Sequence, residues 1–197
     1  MEEAWTPAVV QLTSNFSNSS QIDPYSGGYG QITFGALDPE NCEANWTFVQ
    51  VPPASAQWFL PTLTARFAPD VPVGDWCAAA GKGCAFAGAN FFAEDPYIYA
   101  PEDFVVAMAQ HAKATFSAPQ DFYVDCSAQW TLPPLELTIG GSSFSIPATS
   151  YVLRMPGGSC KLGVSICSPQ QCGAANWVMG APFYRYVQER MPLSSLV

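Results

Sequence analysis

Eighteen prolines and fifteen glycines break this 197-residue chain into short pieces. Proline removes a backbone N–H donor, and glycine favours turns, so neither suits the interior of a long element. Between them lie short apolar runs rich in aromatic and β-branched residues. Those at 31–34, 46–51, 58–63, 122–125, 135–139, 143–146 and 151–154 read as strands. Gly140-Gly141 sits between two of these runs and is a hairpin signal. Several short strands with frequent turn signals predict an all-β barrel or sandwich. One stretch, 101–114, reads as a helix instead. Pro101 suits the first turn, Glu102 and Asp103 complement the positive end of the dipole, and Lys113 lies near the other end. Phe104, Val105, Met108 and Ala112 give it an apolar stripe at helical period. His111 falls on this helix and reads as a solvent-side residue.

Hydrophobic residues make up 49% of the chain and charged residues 12%. That is enough apolar material for a sizeable core, and too little charge for a disordered segment or a long coiled coil. The net charge of −9 repels phosphate, so nucleic acid is not an expected partner. There is no basic face for a membrane-surface helix, and no run approaches the roughly 18 apolar residues that a bilayer span needs.

Seven cysteines, at 42, 77, 84, 126, 160, 167 and 172, are the next constraint. No Cys-x-x-Cys pair occurs and there is a single histidine, so no metal site is expected. Asn15, Asn18 and Asn45 each open an Asn-x-Ser/Thr sequon. Three sequons with seven cysteines point to an oxidising, secretory compartment and to glycosylation. Met1-Glu2-Glu3 with no apolar stretch before Pro7 is not a signal peptide. That start, and the odd number of cysteines, lead us to expect a fragment or a truncated beginning.

Chemistry-bearing patterns are sparse. One histidine and no Gly-x-Ser-x-Gly elbow leave no basis for a Ser-His-Asp triad. Gly27-Gly28-Tyr29-Gly30 precedes a strand, so it presents no helix N-terminus to phosphate, and no cofactor is expected. The carboxylates Glu102-Asp103 are accounted for by the helix dipole. Glu94-Asp95 lies in an aromatic stretch and stays open as a candidate.

An ordered set of motifs then resembles the C-terminal lobe of pepsin-like aspartic peptidases. It runs from Gln31-Ile32-Thr33-Phe34-Gly35-Ala36-Leu37-Asp38 through Gln57-Trp58-Phe59 to Asp125-Cys126. It continues with Leu132-Pro133-Pro134-Leu135, Ile139-Gly140-Gly141, Ile146-Pro147 and Tyr151-Val152-Leu153, and ends at Trp177-Val178-Met179-Gly180-Ala181-Pro182-Phe183-Tyr184-Arg185. Gly35-Ala36-Leu37-Asp38 followed by Asn41-Cys42 looks most like nematode members. The resemblance implies an all-β pepsin-like lobe over 28–187 with one main helix near 101–114. Residues 1–27 are then a linker or a remnant of an interlobe segment, and 188–197 a divergent tail. It implies disulfides Cys77–Cys84, Cys126–Cys160 and Cys167–Cys172, with Cys42 left over. It also implies a peptide or protein substrate and a secreted, lysosomal or digestive setting.

The family cleaves peptides with two aspartates, one per lobe, each in an Asp-Thr-Gly or Asp-Ser-Gly loop. Two carboxylates that close share a proton and activate a water. Neither tripeptide occurs in this chain. Counting from Cys84 puts the family's aspartate at Ala89; counting back from Pro101 puts it at Phe92. Asp95 is the nearest aspartate, but Pro96 follows it and lacks the N–H that could steady a carboxylate. Ala181 stands where the family often has aspartate. After Arg185 the family's pattern dissolves, so its last strands are expected to be missing or replaced, which would leave a sheet edge exposed. The expected function is therefore an aspartic-peptidase-type lobe that is inactive as this chain alone, and whose N-terminal lobe is a missing partner. The alternative is a binding module in which Phe91, Phe92, Tyr97 and Tyr99 replace the catalytic loop and hold peptide or protein.

Overall fold

The structure, a computed structural model, describes residues 9–14, 30–34, 59–61, 63–67, 88–92, 94–117, 121–139, 142–172, 177–186 and 189–192. Cys42, Cys77, Cys84, the three sequon asparagines and the strand expected at 46–51 lie outside these residues.

The helix-period stripe folds as α1 (Glu102–His111), with Phe104, Val105, Met108 and Ala109 buried. Pro101 is its N-cap, and Glu102 and Asp103 occupy the first turn. The helix stops before Ala114 because Lys113 turns left-handed, at a φ of 53°. The Lys113 N–H then donates to the Gln110 carbonyl and the Ala114 N–H to the Ala109 carbonyl, which closes the last turn. His111 is exposed, with its ring edge against Phe67 at 5.4 Å between centroids.

Strict alternation places β9 (Leu135–Ile139), whose Leu135, Leu137 and Ile139 are buried. It pairs antiparallel with β10 (Ser142–Ile146) across the two-residue gap, and with β4 (Leu63–Phe67) on its other side. The run read as one strand at 58–63 is instead β3 (Phe59–Pro61) followed by β4. These pair with different partners, so the chain changes sheet here. Four more strands, β7 (Thr115–Ser117), β8 (Asp121–Val124), β11 (Val152–Arg154) and β12 (Cys160–Leu162), make a sheet in the order β11-β12-β8-β7. Tyr151, read as the start of β11, ends a one-turn helix, α3 (Ala148–Tyr151), after α2 (Ala128–Thr131). Pro147 sets the φ that starts this turn.

Both chain ends carry a strand that the sequence pattern does not mark. Within 1–27, read as a linker or a remnant of an interlobe segment, Val9–Ser14 forms β1, paired antiparallel with β2 (Gly30–Phe34). The tail expected to leave an edge open supplies β15 (Glu189–Pro192), which pairs with the other side of β1. Backbone N–H and C=O groups seek partners wherever an extended segment lies alongside, whatever the motif content of that segment.

The core gathers Phe67, Ile98, Phe104, Met108, Leu135, Leu137, Ile139, Ile146, Leu162 and Met179, with Tyr151 among them, all fully or almost fully buried. Disulfides join Cys126 to Cys160, with Cα atoms 5.1 Å apart, and Cys167 to Cys172, 5.9 Å apart. The first ties the end of β8 to β12 across a separation of 34 residues.

Candidate active site

The remaining sheet positions the site. It contains β3, β5 (Gly88–Phe91), β6 (Ile98–Ala100), β13 (Val164–Ile166) and β14 (Trp177–Met179), in the order β13-β6-β14-β5-β3. β5 and β6 are successive in sequence but not neighbours. β14 lies between them, parallel to β5 and antiparallel to β6. The connection 92–97 therefore crosses the end of β14. The Phe92 N–H donates to the Met179 carbonyl at 3.0 Å, and the Ala181 N–H donates to the Asp95 carbonyl at 2.7 Å. Gly180 lies against this crossing. A Cβ added there would overlap the Tyr97 carbonyl oxygen and come within 2.5 Å of the Asp95 carbonyl oxygen. Close approach of backbone to backbone requires the glycine here. α4 (Ala181–Tyr184) begins directly after it.

The residues singled out from the sequence divide over this crossing. Ala89 is in the middle of β5, fully buried, and pairs with Trp177. Phe92 is the first residue beyond β5 and is half-buried, as is Asp95. The four aromatics expected to line a cleft together do not. Phe91 is 7% exposed and turns into the main core, with its ring edge on Phe183 at 5.7 Å. Tyr99 is buried on the other side with Val178 and Cys172, and Phe92, Tyr97 and Cys167 pack against that second cluster. Successive residues of an extended chain face opposite ways, which separates Phe91 from Phe92 and brings Tyr97 and Tyr99 to one side. The Tyr97 and Tyr99 rings meet edge to face at 5.9 Å.

The electrostatics centre on two places. Burial, and then the neighbouring Glu94, push the Asp95 carboxyl above its ordinary value of 3.8. The fold thus disfavours the charged form. The resulting penalty is absent below pH 3.8, grows as pH rises towards the higher folded value, and is complete above it. Asp95→Asn is expected to be more stable than the parent at pH 7, with the advantage gone at pH 3. Denaturant midpoints at the two pH values check this, and a variant weaker than the parent at pH 7 counts against it.

The second place escaped the sequence reading. Lys161, on β12, is 6% exposed. Its ammonium pairs with the Asp121 carboxylate at 3.0 Å, donates to the Tyr97 hydroxyl, and sits 4.8 Å from the Tyr97 ring centroid. The Tyr97 hydroxyl donates to the same Asp121 oxygen at 3.1 Å. Burial alone would lower the Lys161 pKa, but the bonds to Tyr97 and Asp121 outweigh it and raise the value. The signal in the sequence was one charge inside the apolar run Cys160-Lys161-Leu162. Among the described residues, no group of three or more His, Cys, Asp or Glu could hold a metal ion.

Comparison with known proteins follows the same outline. A family model described as eukaryotic aspartyl protease matches residues 14–189. Aspartic protease 1 of Caenorhabditis elegans is 32% identical over 159 residues, which cover 79% of this chain and 37% of that protein. Aspartic protease 17 of the same organism is 29% identical over an alignment covering 92% of this chain and 48% of that protein. The crystal structure of an aspartic proteinase from Irpex lacteus superposes with a TM-score of 0.69 at 15% identity, over 92% of this chain and 52% of that one. The chain spans less than half the length of these two curated relatives.

Proposed function

Since this chain belongs to the eukaryotic aspartyl protease family, we propose that it is a pepsin-like C-terminal lobe that does not hydrolyse peptides by itself. One observation carries the reading. The connection 92–97, which crosses β14, holds no aspartate at Phe92, its first position past β5. Ala89, the other counted position, is a buried strand residue with no carboxyl. Asp95 lies farther along the connection, tied to Ala181 through its backbone carbonyl, and its carboxyl is held towards the neutral form. Peptide hydrolysis of this type needs one ionised and one protonated carboxyl sharing a water, and this lobe supplies neither in the family's position.

The cluster of Phe92, Tyr97 and Tyr99 favours a second reading, a peptide- or protein-binding module. These aromatics gather beside the crossing, apart from the main core, and Phe92 and Tyr97 remain half-buried. The partner in either reading is a peptide, a protein or an N-terminal lobe. The two disulfides support an oxidising setting, secreted or lysosomal.

The test is proteolysis by the purified, oxidised chain from about pH 3 to pH 7, the range over which carboxylates and histidine titrate, with and without pepstatin. No cleavage is expected from a chain shown to be folded. Cleavage suppressed by pepstatin overturns the proposal and implies a dyad assembled across two chains. Calorimetry against a peptide library separates the readings: saturable binding, lost in Tyr97→Ala, favours the module.

A further inference from the structure

We propose that this chain cleaves itself in acid at the Asp95–Pro96 bond, a hydrolysis that the folded crossing promotes and that divides the chain into 1–95 and 96–197. An aspartyl-proline bond has the chemistry for it. The aspartate side chain can close a five-membered ring on its own carbonyl carbon. Proline forms a tertiary amide, whose nitrogen leaves more readily than that of an ordinary peptide bond. A carboxyl oxygen of Asp95 bonds to the Asp95 carbonyl carbon, the C–N bond to Pro96 breaks, and the carboxyl proton passes to the proline nitrogen. Water then opens the cyclic anhydride. One water is consumed, Asp95 is left with two carboxyls, and Pro96 with a secondary amine. In acid that amine is protonated and does not attack back. The reaction stays within one chain, so it does not depend on whether the lobe cuts other peptides.

The sequence holds three such bonds, Asp23–Pro24, Asp38–Pro39 and Asp95–Pro96, and the third lies within the described residues. The fold holds this bond on both sides. The Asp95 N–H donates to the Phe92 carbonyl at 3.2 Å, and the Asp95 carbonyl oxygen accepts from the Ala181 N–H at 2.7 Å. That oxygen takes up negative charge as the ring closes, and one fixed donor on such an oxygen is worth about 10²–10³ in rate. Beyond the bond, the Tyr97 hydroxyl donates to Asp121 at 3.1 Å, and the Ile98 N–H donates to the Gly163 carbonyl at 2.8 Å. Pro96, between these anchors, is exposed, so water reaches the bond. The neutral carboxyl supplies both nucleophile and proton. Titratable groups on the elements around it are Glu94, Tyr97 and Tyr99 along the chain, Tyr184 and Arg185 beyond Gly180, and the paired Asp121 and Lys161; β5 and β14 carry none. Burial, and then the charge of Glu94, favour the neutral form of Asp95. At about pH 4 this raises the neutral share at most about two- to threefold, so most of the acceleration falls to the Ala181 donor. Both described disulfides lie within 96–197, so the pairing of β5 with β14 and the core hold 1–95 in place after the cut.

Mass spectrometry of the whole oxidised chain reads the cut, at the lowest pH, down to about 4, at which circular dichroism shows it folded. The same chain in guanidinium at that pH is the reference, and its other two aspartyl-proline bonds give the rate without a fold. The Asp95–Pro96 bond is expected to break at least about tenfold faster in the folded chain than in the denatured one. The rate is expected to be first order, independent of protein concentration and of pepstatin. The two pieces sum to the intact mass plus one water, and the second begins at Pro96. Pro96→Ala replaces the leaving group and Asp95→Asn the carboxyl, and both are expected to abolish the cut. Ala181→Pro removes the N–H donor and is expected to return the rate to that of the denatured chain. A folded chain that breaks there no faster than the denatured one, or a Pro96→Ala chain cut at the parent's rate, overturns the proposal. Cleavage of this bond that rises with protein concentration or stops with pepstatin also overturns it, and with it the reading of an inactive lobe; an uncut chain leaves that reading standing. Should Ala181→Pro fail to fold, the comparison of folded with denatured chain decides alone.

Discussion

Gly180→Ala is expected to cost the fold at least about 3 kcal/mol, near the upper end for an overpacked site. The added methyl meets backbone at two points, the Tyr97 carbonyl oxygen and the Asp95 carbonyl oxygen at 2.5 Å, and the root of the Asp95 side chain, its Cβ, at 3.0 Å. Backbone cannot rotate away as a flexible side chain can. The connection must lift off the end of β14, which breaks the bond from Ala181 N–H to the Asp95 carbonyl. The φ of Gly180, −106°, is open to any residue, so the effect is steric. Gly157→Ala is the control. Its φ is 95°, but nothing lies within 4 Å of an added Cβ, so it isolates the cost of backbone conformation. Denaturant unfolding compares the two. A Gly180→Ala chain as stable as the parent would mean that the connection does not lie against β14.

Phe104→Ala is expected to lose about 3–5 kcal/mol, the usual range for emptying a fully buried aromatic site. Phe104 is 0% exposed and projects from α1 into the core. Its ring meets Trp177 edge to face, with centroids 5.0 Å apart, so it joins the helix to the strand that threads between β5 and β6. Phe104→Leu keeps most of the apolar volume and is expected to lose less. Thermal or denaturant unfolding at neutral pH measures both. A loss under about 1 kcal/mol in the alanine variant would show that the helix does not close this side of the core.

How much of this was legible depended on where each element lies. β9 alternates buried and half-buried residues along Leu135–Ile139, because one of its faces is packed and the other is not. The stripe on α1 was legible for the same reason. β5, β6 and β14 are buried at every position, so their residues carry no alternation to read. β14 was recognised only through the resemblance at Trp177-Val178-Met179-Gly180. The aromatics of 91–99 read as one group, yet a strand sends successive side chains to opposite faces, and Phe91 went to the core. Lys161 is not legible as part of a site, because a charge ordinarily lies in water and its two partners are far away in sequence.

The class of fold, the main helix, the family likeness and the lack of an Asp-Thr-Gly tripeptide are all legible in the order of residues alone. These are properties of composition, local period and residue order, which need no knowledge of what packs against what. That β14 enters between β5 and β6, that Gly180 must carry no side chain, and that Tyr97, Asp121 and Lys161 meet emerges only once the chain is folded. Each of these joins segments far apart in the chain. Such contacts form because buried backbone and buried charge must find partners in space, and no local window of sequence records which partner lies near.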